Sequence, residues 1–582
     1  MNDFIFKIAG EAGYGIASAG LIFARTAQRS GYFIFTSSEY PSLIRGGHNV
    51  FVARIAEEAI HSPKSEVDFL IALNQNAVDF HKKELSPGAV VILNSDKAVD
   101  SGFPSGVNIL SIPLIKLAQE NGGQDVMMNN VALGATVFLL EADFKILESA
   151  IRDVFSSAKP EIIDLNIKAA RAGFDFAKHF AGSQTSGSLK AKKAAKKILI
   201  SGNDAICLGA VAAGCKFFAA YPMTPINSMI SYLSARAKKL GMVYFQPEDE
   251  IAGINSAIGA SSAGLRSMVA TSGGGFSLMT EAFGLAGMAE VPLVIIEGQR
   301  PGPSTGLPTW SGQGDLRFVL HASQDDFPRI ILAPGDQEEC FWLTIEAFNL
   351  ADIYQTPVII LVDKFLCESQ KSVVAFDESK VKINQGSLLS KEDQKKDYLR
   401  YQITESGISP RPVIGRPGQT FIFNSDEHDQ AGFSEESSDN RKAMMEKRMR
   451  KLETCAREIP APRIYSEKKA EGPEHSVRGI EISLVGWGST KGVILEAQKT
   501  LADQGIETRF LHLNYLNPFP AEAVGSFLQN SKQILMIEQN ITGQAAGLIR
   551  EKTGIKIENL LLSYDGRPIY PEEIVQKVKE II

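Results

Sequence analysis

The rhythm of apolar and polar positions divides the chain into stretches of different texture. Within the first 182 residues the short runs FIFKIAG, DFLIALN and AVVILNS are apolar without alternation. That is the pattern of strands buried on both faces of a parallel sheet. SAGLIFARTAQRSG follows a glycine turn with apolar residues at helical spacing, and predicts a helix. A second α/β rhythm starts at ILISGNDAICLGAVAAG and runs through MVYFQ, RSMVATS, VPLVIIEG, RIILA and TPVIILVD. Strands alternating with helices in this way predict a doubly wound, mostly parallel sheet over residues 198–375. A third α/β rhythm, GIEISLVGWGST followed by ETRFLHL and KQILMIEQN, occupies residues 476–582.

Two segments break the rhythm. Residues 183–197, SQTSGSLKAKKAAKK, are small, polar and basic, and predict an exposed linker. Residues 376–475 carry SPRPVIGRPG and then NSDEHDQAGFSEESSDNRKAMMEKRMRKLE, which passes into a charged helix. A stretch of that length is either an ordered excursion covering a site or a solvated connector.

Composition narrows the class. A chain of 582 residues is too long for one core. Net charge of -7 and pI near 5.8 leave no basic face for nucleic acid. No apolar run reaches the length that crosses a bilayer, and MNDFIFKIAG lacks a basic start before a long apolar core, so a cytoplasmic location is expected. The five cysteines are widely spaced with no C-x-x-C pair. Neither a disulfide framework nor a zinc or iron–sulfur site is readable, and no metal ligand set is expected on this chain.

Candidate chemistry gathers at strand ends. In GEAGYGIASAG, Gly10, Gly13 and Gly15 stand between a strand and a helix, which suits either a bound phosphate or tight strand–helix packing. Arg45 in RGGHNVFVARI reads as part of a turn. In FFAAYPMTPINS, Pro222 ends a strand after Tyr221, and Pro225 predicts a helix start with Thr224 as its N-cap. Glu248, Asp249 and Glu250 precede a small-residue helix, where the helix dipole accounts for two of them. A carboxylate projecting from such a surface into an apolar interface is a candidate proton donor or acceptor. ATSGGGFSLMTEA places Ser272 and Gly273 after the next strand, and EGQRPGPSTGLPTW places Arg300 and Thr309 in a proline–glycine loop. Arginine there suits a carboxylate ligand, with threonine adding a hydroxyl.

Taken together, YPMTP, DEIAGINSAIGAS, ATSGGGFSLMTEA, EGQRPGPSTGLPT, SPRPVIG and the EHD stretch resemble the alpha subunit of thiamine-diphosphate-dependent 2-oxoacid:ferredoxin oxidoreductases. GEAGYGIASAG and RGGHNVFVARI resemble the gamma domain of that family, so the whole chain is similar to its gamma–alpha fusion form. The resemblance implies a gamma-type α/β domain, a pyrimidine-binding thiamine diphosphate domain and a transketolase C-terminal-like domain. It implies that Glu250, nine residues before Gly259, hydrogen-bonds the cofactor's aminopyrimidine, with Glu248 as the alternative. Thr224 would lie beside cofactor and substrate, in a cofactor-binding set of Tyr221, Pro222, Thr224, Glu250, Ser272 and Gly273. Arg300 and Thr309 would hold the 2-oxoacid carboxylate, and the turn at Gly10, Gly13 and Gly15 is the place for a phosphate of coenzyme A.

The implied reaction is coenzyme A-dependent oxidative decarboxylation of 2-oxoglutarate to succinyl-CoA and CO2 with reduction of ferredoxin, or its reversal. Pyruvate or a broad 2-oxoacid range is the alternative substrate, and a non-catalytic nucleotide-binding assembly subunit is the alternative of another class. A second substrate carboxylate would want another cation, for which Arg411 and His428 are candidates. No G-D-G with a following Asn is present, so Mg2+, the diphosphate site and a [4Fe-4S] cluster are expected on a separate beta subunit. The expected assembly is a dimer of alpha–beta heterodimers.

Overall fold

The structure, a computed structural model, describes every residue except 1–2, 44–45, 100–101, 181–187, 194, 391–392, 394–397, 416, 418 and 467–481. Arg45, residues 183–187 and 194 of the predicted linker and the start of the third α/β stretch therefore lie outside the described residues. The chain forms two compact units. One comprises Met1–Ile200 with Glu368–Ala375 and Tyr570–Glu572, and the other comprises Ser201–Cys367, Phe376–Ile569 and Glu573–Ile582.

The first unit is built on an eight-stranded sheet ordered Asn108–Ile112, Leu85–Asn94, Val67–Ala72, Asp3–Glu11, His48–Ala56, Phe33–Glu39, Gln370–Val374 and Lys197–Ser201. The runs DFLIALN and AVVILNS pair in parallel, as their unbroken apolar pattern requires. His48–Ala56 runs antiparallel to both Asp3–Glu11 and Phe33–Glu39, so the sheet is mixed. Residues 368–375 are grouped by sequence rhythm with the second unit, yet Gln370–Val374 pairs antiparallel with Phe33–Glu39. The described part of the linker is exposed at residues 190–193 and 195–196, as expected, but it is anchored at two points. Leu189 is fully buried, its N–H donates to Leu140 O, and the Lys192 N–H donates to Ser30 O. One apolar side chain in a basic stretch is enough to dock it.

Helices Met128–Leu139 and Pro160–Phe180 of this unit touch backbone to backbone. A Cβ on Gly134 would stand 1.7 Å from Ala170 O, and one on Gly173 would stand 1.8 Å from Val131 O.

The second unit holds a seven-stranded sheet ordered Tyr515–Asn517, Ile330–Leu332, Pro357–Asp363, Leu293–Gln299, Ser267–Ser272, Phe217–Ala219 and Val243–Phe245. All its pairings are parallel except the first, in which Tyr515–Asn517 of the third α/β stretch lies antiparallel on Ile330–Leu332. Asn517 Nδ2 donates to Arg329 O at 2.6 Å and the Ala333 N–H donates to Asn514 O at 2.7 Å, which fastens that edge. A five-stranded sheet, Arg463–Ser466, Thr508–Leu513, Ile482–Trp487, Gln533–Glu538 and Asn559–Leu562, completes the unit.

Residues 376–475 are, where described, an ordered excursion. Their charged helix Ser438–Glu458 is docked by a buried ion cluster, in which Lys447 and Lys451 reach Glu290 at 2.5 Å and all three side chains are inaccessible to solvent. Burial alone would raise the Glu290 carboxyl, but Lys447, Lys451 and Arg400 outweigh it and hold the group well below the usual carboxylate range. Glu290 also closes helix Gly273–Met288. Its φ is +54°, its N–H donates to Gly287 O, and the Val291 N–H donates to Ala286 O, a Schellman arrangement whose left-handed position usually holds glycine.

Two stability outcomes follow from this packing. Gly134→Ala should lower the stability of the chain by about 3 kcal/mol in chemical denaturation, because backbone leaves no room for the methyl. Glu290→Gly relaxes the left-handed backbone yet strands two buried ammonium groups. It should therefore destabilise, by about 3 to 5 kcal/mol in the same measurement.

Candidate active site

Four adjacent strands of the seven-stranded sheet deliver the predicted site residues from their carboxyl ends. Thr224 follows Phe217–Ala219, Glu250 follows Val243–Phe245, Ser272 ends Ser267–Ser272, and Arg300 follows Leu293–Gln299. This is the edge at which open α/β sheets bind ligands.

The turn after Phe217–Ala219 differs from its sequence reading. Thr224–Pro225 is a cis peptide, and the Ile226 N–H donates to Met223 O at 3.0 Å across it. The helix begins only at Asn227, with Ile226 at its N-cap, so Thr224 is not the cap and Pro225 is not the first helical residue. Pro225 instead packs on the strand two positions away: a Cβ on Gly298 would lie 2.9 Å from its ring. Asn203 Nδ2 holds the turn by donating to Pro225 O at 2.8 Å. Arg300 then joins Thr224 directly, its Nη1 donating to Thr224 O at 2.9 Å. Tyr221 and Pro222 are exposed.

The three acidic residues before the small-residue helix are distinct in place. Glu248 is exposed, and Asp249 caps helix Glu250–Ser262 by accepting from the Ala252 N–H at 2.8 Å. Glu250 is 3% exposed, and its Oε1 has no hydrogen-bond partner in the protein. An orphaned buried carboxylate oxygen is costly unless a ligand meets it.

The glycine run of ATSGGGFSL has a separate reason at each position. A Cβ on Gly275 would stand 2.0 Å from Thr271 Oγ1 and 2.7 Å from Glu250 Oε1. One on Gly273 would stand 2.5 Å from Asp315 Oδ2, whereas Gly274 has nothing within 4 Å. Ser272 is fully buried, makes no cap bond to helix Gly273–Met288, and its hydroxyl lacks a partner.

Arg300 opens the loop of PGPSTGLPTW, which folds back so that the Leu307 N–H donates to Pro301 O at 2.9 Å. Gly306 is needed in that return, with φ +53° and Pro301 O 1.8 Å from the place of a Cβ. Thr309, on the returning limb, is buried with an unpartnered hydroxyl. Burial lowers the Arg300 guanidinium, against the pull of Asp315 and Glu297. Asp315 and Glu297 were not foreseen. Burial pushes Asp315 up to about 6 and Glu297 well above the ordinary range, the latter helped by Asp315 itself. The only signal for them was a carboxylate inside the apolar run VPLVIIEG.

Other predicted residues lie elsewhere. Arg411 is buried, and its Nη2 bonds Asp352 Oδ1 at 2.6 Å, with Arg266 on the other oxygen at 2.8 Å. His428 is fully buried against Tyr401, its Nδ1 2.9 Å from Asp426 O. Each is held in part by local contacts and keeps one buried nitrogen without a partner, Nε of Arg411 and Nε2 of His428. In the first unit, Gly10 is faced by Leu73 and Gly15 by Asn129 Nδ2, while Gly13, at φ +98°, has nothing within 4 Å. The helix that follows has no side-chain cap. Among the described residues no group of three or more His, Cys, Asp or Glu could hold a metal ion, and no helix is long and apolar enough to cross a membrane.

The geometry fits the pyrimidine half of a thiamine diphosphate site. Glu250 offers an unsatisfied oxygen, and Gly274 leaves space beside it.

Comparison with known proteins supports the same class. Residues 208–447 match the family model described as pyruvate flavodoxin/ferredoxin oxidoreductase, thiamine diP-bdg, residues 5–176 match pyruvate ferredoxin/flavodoxin oxidoreductase, and residues 480–574 match pyruvate:ferredoxin oxidoreductase core domain II. The alpha subunit of 2-oxoacid:ferredoxin oxidoreductase 2 from Aeropyrum pernix is 34% identical over 100% of this chain and 98% of its own length. The 2-oxoglutarate synthase subunit KorA of Methanothermobacter thermautotrophicus is 31% identical over 66% of this chain and 98% of its own. A solved 2-oxoglutarate:ferredoxin oxidoreductase from Magnetococcus marinus, with 2-oxoglutarate, coenzyme A and succinyl-CoA bound, superposes with TM-score 0.91 at 32% identity, covering 100% of this chain and 99% of that one. The chain belongs to the 2-oxoacid:ferredoxin oxidoreductase alpha-subunit family, an enzyme subunit with a thiamine diphosphate-binding domain that acts with a partner subunit.

The glycine run supplies a test that needs no substrate. Gly275→Ala should lower the unfolding temperature of the chain by several degrees, because its methyl displaces Thr271 and Glu250. Gly274→Ala should leave it unchanged while weakening the added stabilisation that thiamine diphosphate confers on the assembled enzyme.

Proposed function

We propose that this subunit, joined by a beta subunit, catalyses the coenzyme A-dependent oxidative decarboxylation of 2-oxoglutarate to succinyl-CoA and CO2, with ferredoxin as electron acceptor, and its reversal. The observation that carries the reading is the delivery of Glu250, Thr224 and Arg300 from carboxyl ends of strands on one side of the sheet, with Arg300 bonded to Thr224 and the Glu250 oxygen left unsatisfied. The named 2-oxoglutarate activities of KorA and of the Magnetococcus marinus enzyme support this substrate over pyruvate. Thiamine diphosphate supplies, when bound, a carbon nucleophile and an electron sink for decarboxylation. Mg2+ and the [4Fe-4S] cluster belong to the beta subunit in this reading, in a dimer of alpha–beta heterodimers.

On this chain Glu250 exchanges a proton with the pyrimidine ring nitrogen, and its burial keeps competing water away. Arg300 binds the 2-oxo-acid carboxylate, while its bond to Thr224 O fixes the guanidinium in place. Ser272, Gly273 and Gly274 line the same edge, and the buried Thr309 hydroxyl adds a donor for the substrate. The turn at Gly10, Gly13 and Gly15 is assigned to a phosphate of coenzyme A, with Gly13 as the open position.

Two measurements check this reading. The assembled enzyme should reduce a viologen dye with 2-oxoglutarate at least tenfold faster than with pyruvate or 2-oxoisovalerate, and only when coenzyme A is present. Glu250→Gln should cut that rate by roughly a hundredfold or more. Full activity in Glu250→Gln would sink the assignment of Glu250.

A further inference from the structure

Strand Leu293–Gln299 is apolar up to Glu297, which is fully buried and has no donor for either carboxylate oxygen. Its neighbour is Asp315, at the head of helix Leu316–His321, which stands over Gln299, two residues beyond Glu297 and on the same face of the strand. Asp315 is held there by its own N–H, which donates to Gln299 Oε1 at 3.1 Å, and by Gly273, whose missing side chain makes room for Oδ2. Two ionised carboxylates so placed repel each other, and neither can donate. One proton between them removes a charge and gives an orphaned oxygen its bond.

Two further acids face this region: Glu250 reaches the first turn of helix Gly273–Met288 at Gly275, beside Thr271, and the buried Asp363 stands opposite Gln299 on the neighbouring strand. The neighbouring strands place Thr271 and Leu361 opposite Glu297, and the first turn of helix Gly273–Met288 is glycine. Arg300, on the same strand end, is the charged group that interacts with both carboxyls.

We propose that Glu297 and Asp315 share a single proton and act as a positioning pair, setting the net charge against which Arg300 attracts the substrate carboxylate. This rests on the reading of Arg300 as the 2-oxo-acid anchor. With the proton in place, the pair carries one negative charge opposite one guanidinium. As pH rises the proton leaves, a second negative charge forms behind Arg300, and the substrate carboxylate meets a weaker attraction.

Two readouts on the enzyme assembled with its partner subunit test the pair. Infrared difference spectra across a pH titration should show a protonated-carboxyl C=O band that shifts in deuterium oxide and changes in frequency and titration in both Glu297→Gln and Asp315→Asn, each of which keeps one buried carboxyl without its partner. The KM for the 2-oxo acid should rise roughly three- to tenfold from pH 6 to pH 9 in the native enzyme, with a smaller change in kcat, and stay level in both variants. Absence of the band from the native enzyme, or an unaltered KM slope in the variants, overturns the proposal. Should Glu297→Gln not fold, the half-buried Asp315 carries the same test alone. A native complex that shows the band but turns over no 2-oxo acid at any pH would refute the substrate reading and leave proton sharing standing.

Discussion

Carboxyl groups press on the first turn of helix Gly273–Met288 from two sides, and the site is arranged around that crowding. Asp315 meets the turn at Gly273 and Glu250 meets it at Gly275, and only glycine lets either carboxylate so near the backbone. A helix N-terminus is a favourable place for negative charge, which helps explain why both groups tolerate burial there. The glycine between them, Gly274, is exposed with nothing within 4 Å of the place of a Cβ, and Ser272 just before the turn is fully buried. Glycine spacing in a single turn therefore fixes where the two acids stand.

The same helix is specified at its other end by a different force. At Glu290 the backbone takes a conformation that glycine adopts more easily, and the side chain neutralises two lysines of a helix about 150 residues later in sequence. Neither end is satisfied by residues of the helix itself. Its position is thus set by the connecting segment at one end and by site carboxyls at the other.

Much of this was legible in the sequence because buried parallel strands leave an unbroken apolar signature. The strands from MVYFQ to TPVIILVD lie where their runs place them, and Glu250 emerged from Glu248 and Asp249 by its spacing from Gly259. What failed depended on contacts far away in sequence. Whether Thr224 caps a helix turns on how Pro225 packs against Gly298, more than seventy residues distant. The strand Gln370–Val374 reads as a continuation of its neighbours, yet it pairs with Phe33–Glu39. The contacts of Arg411 with Asp352 and of His428 with Tyr401 were likewise invisible, because the partners are not adjacent to them in the sequence. The Glu297–Asp315 pair was hidden for the same reason, since proximity of two acids eighteen positions apart is a tertiary fact.

The short strand Tyr515–Asn517 deserves a last consequence. Ile330–Leu332 is fully buried and would otherwise end its sheet with a bare row of backbone donors and acceptors. An uncovered apolar edge of that kind is a template for any other extended chain. By lending three residues to that edge, the final α/β stretch occupies the template and leaves no bare apolar edge there for a second chain to extend.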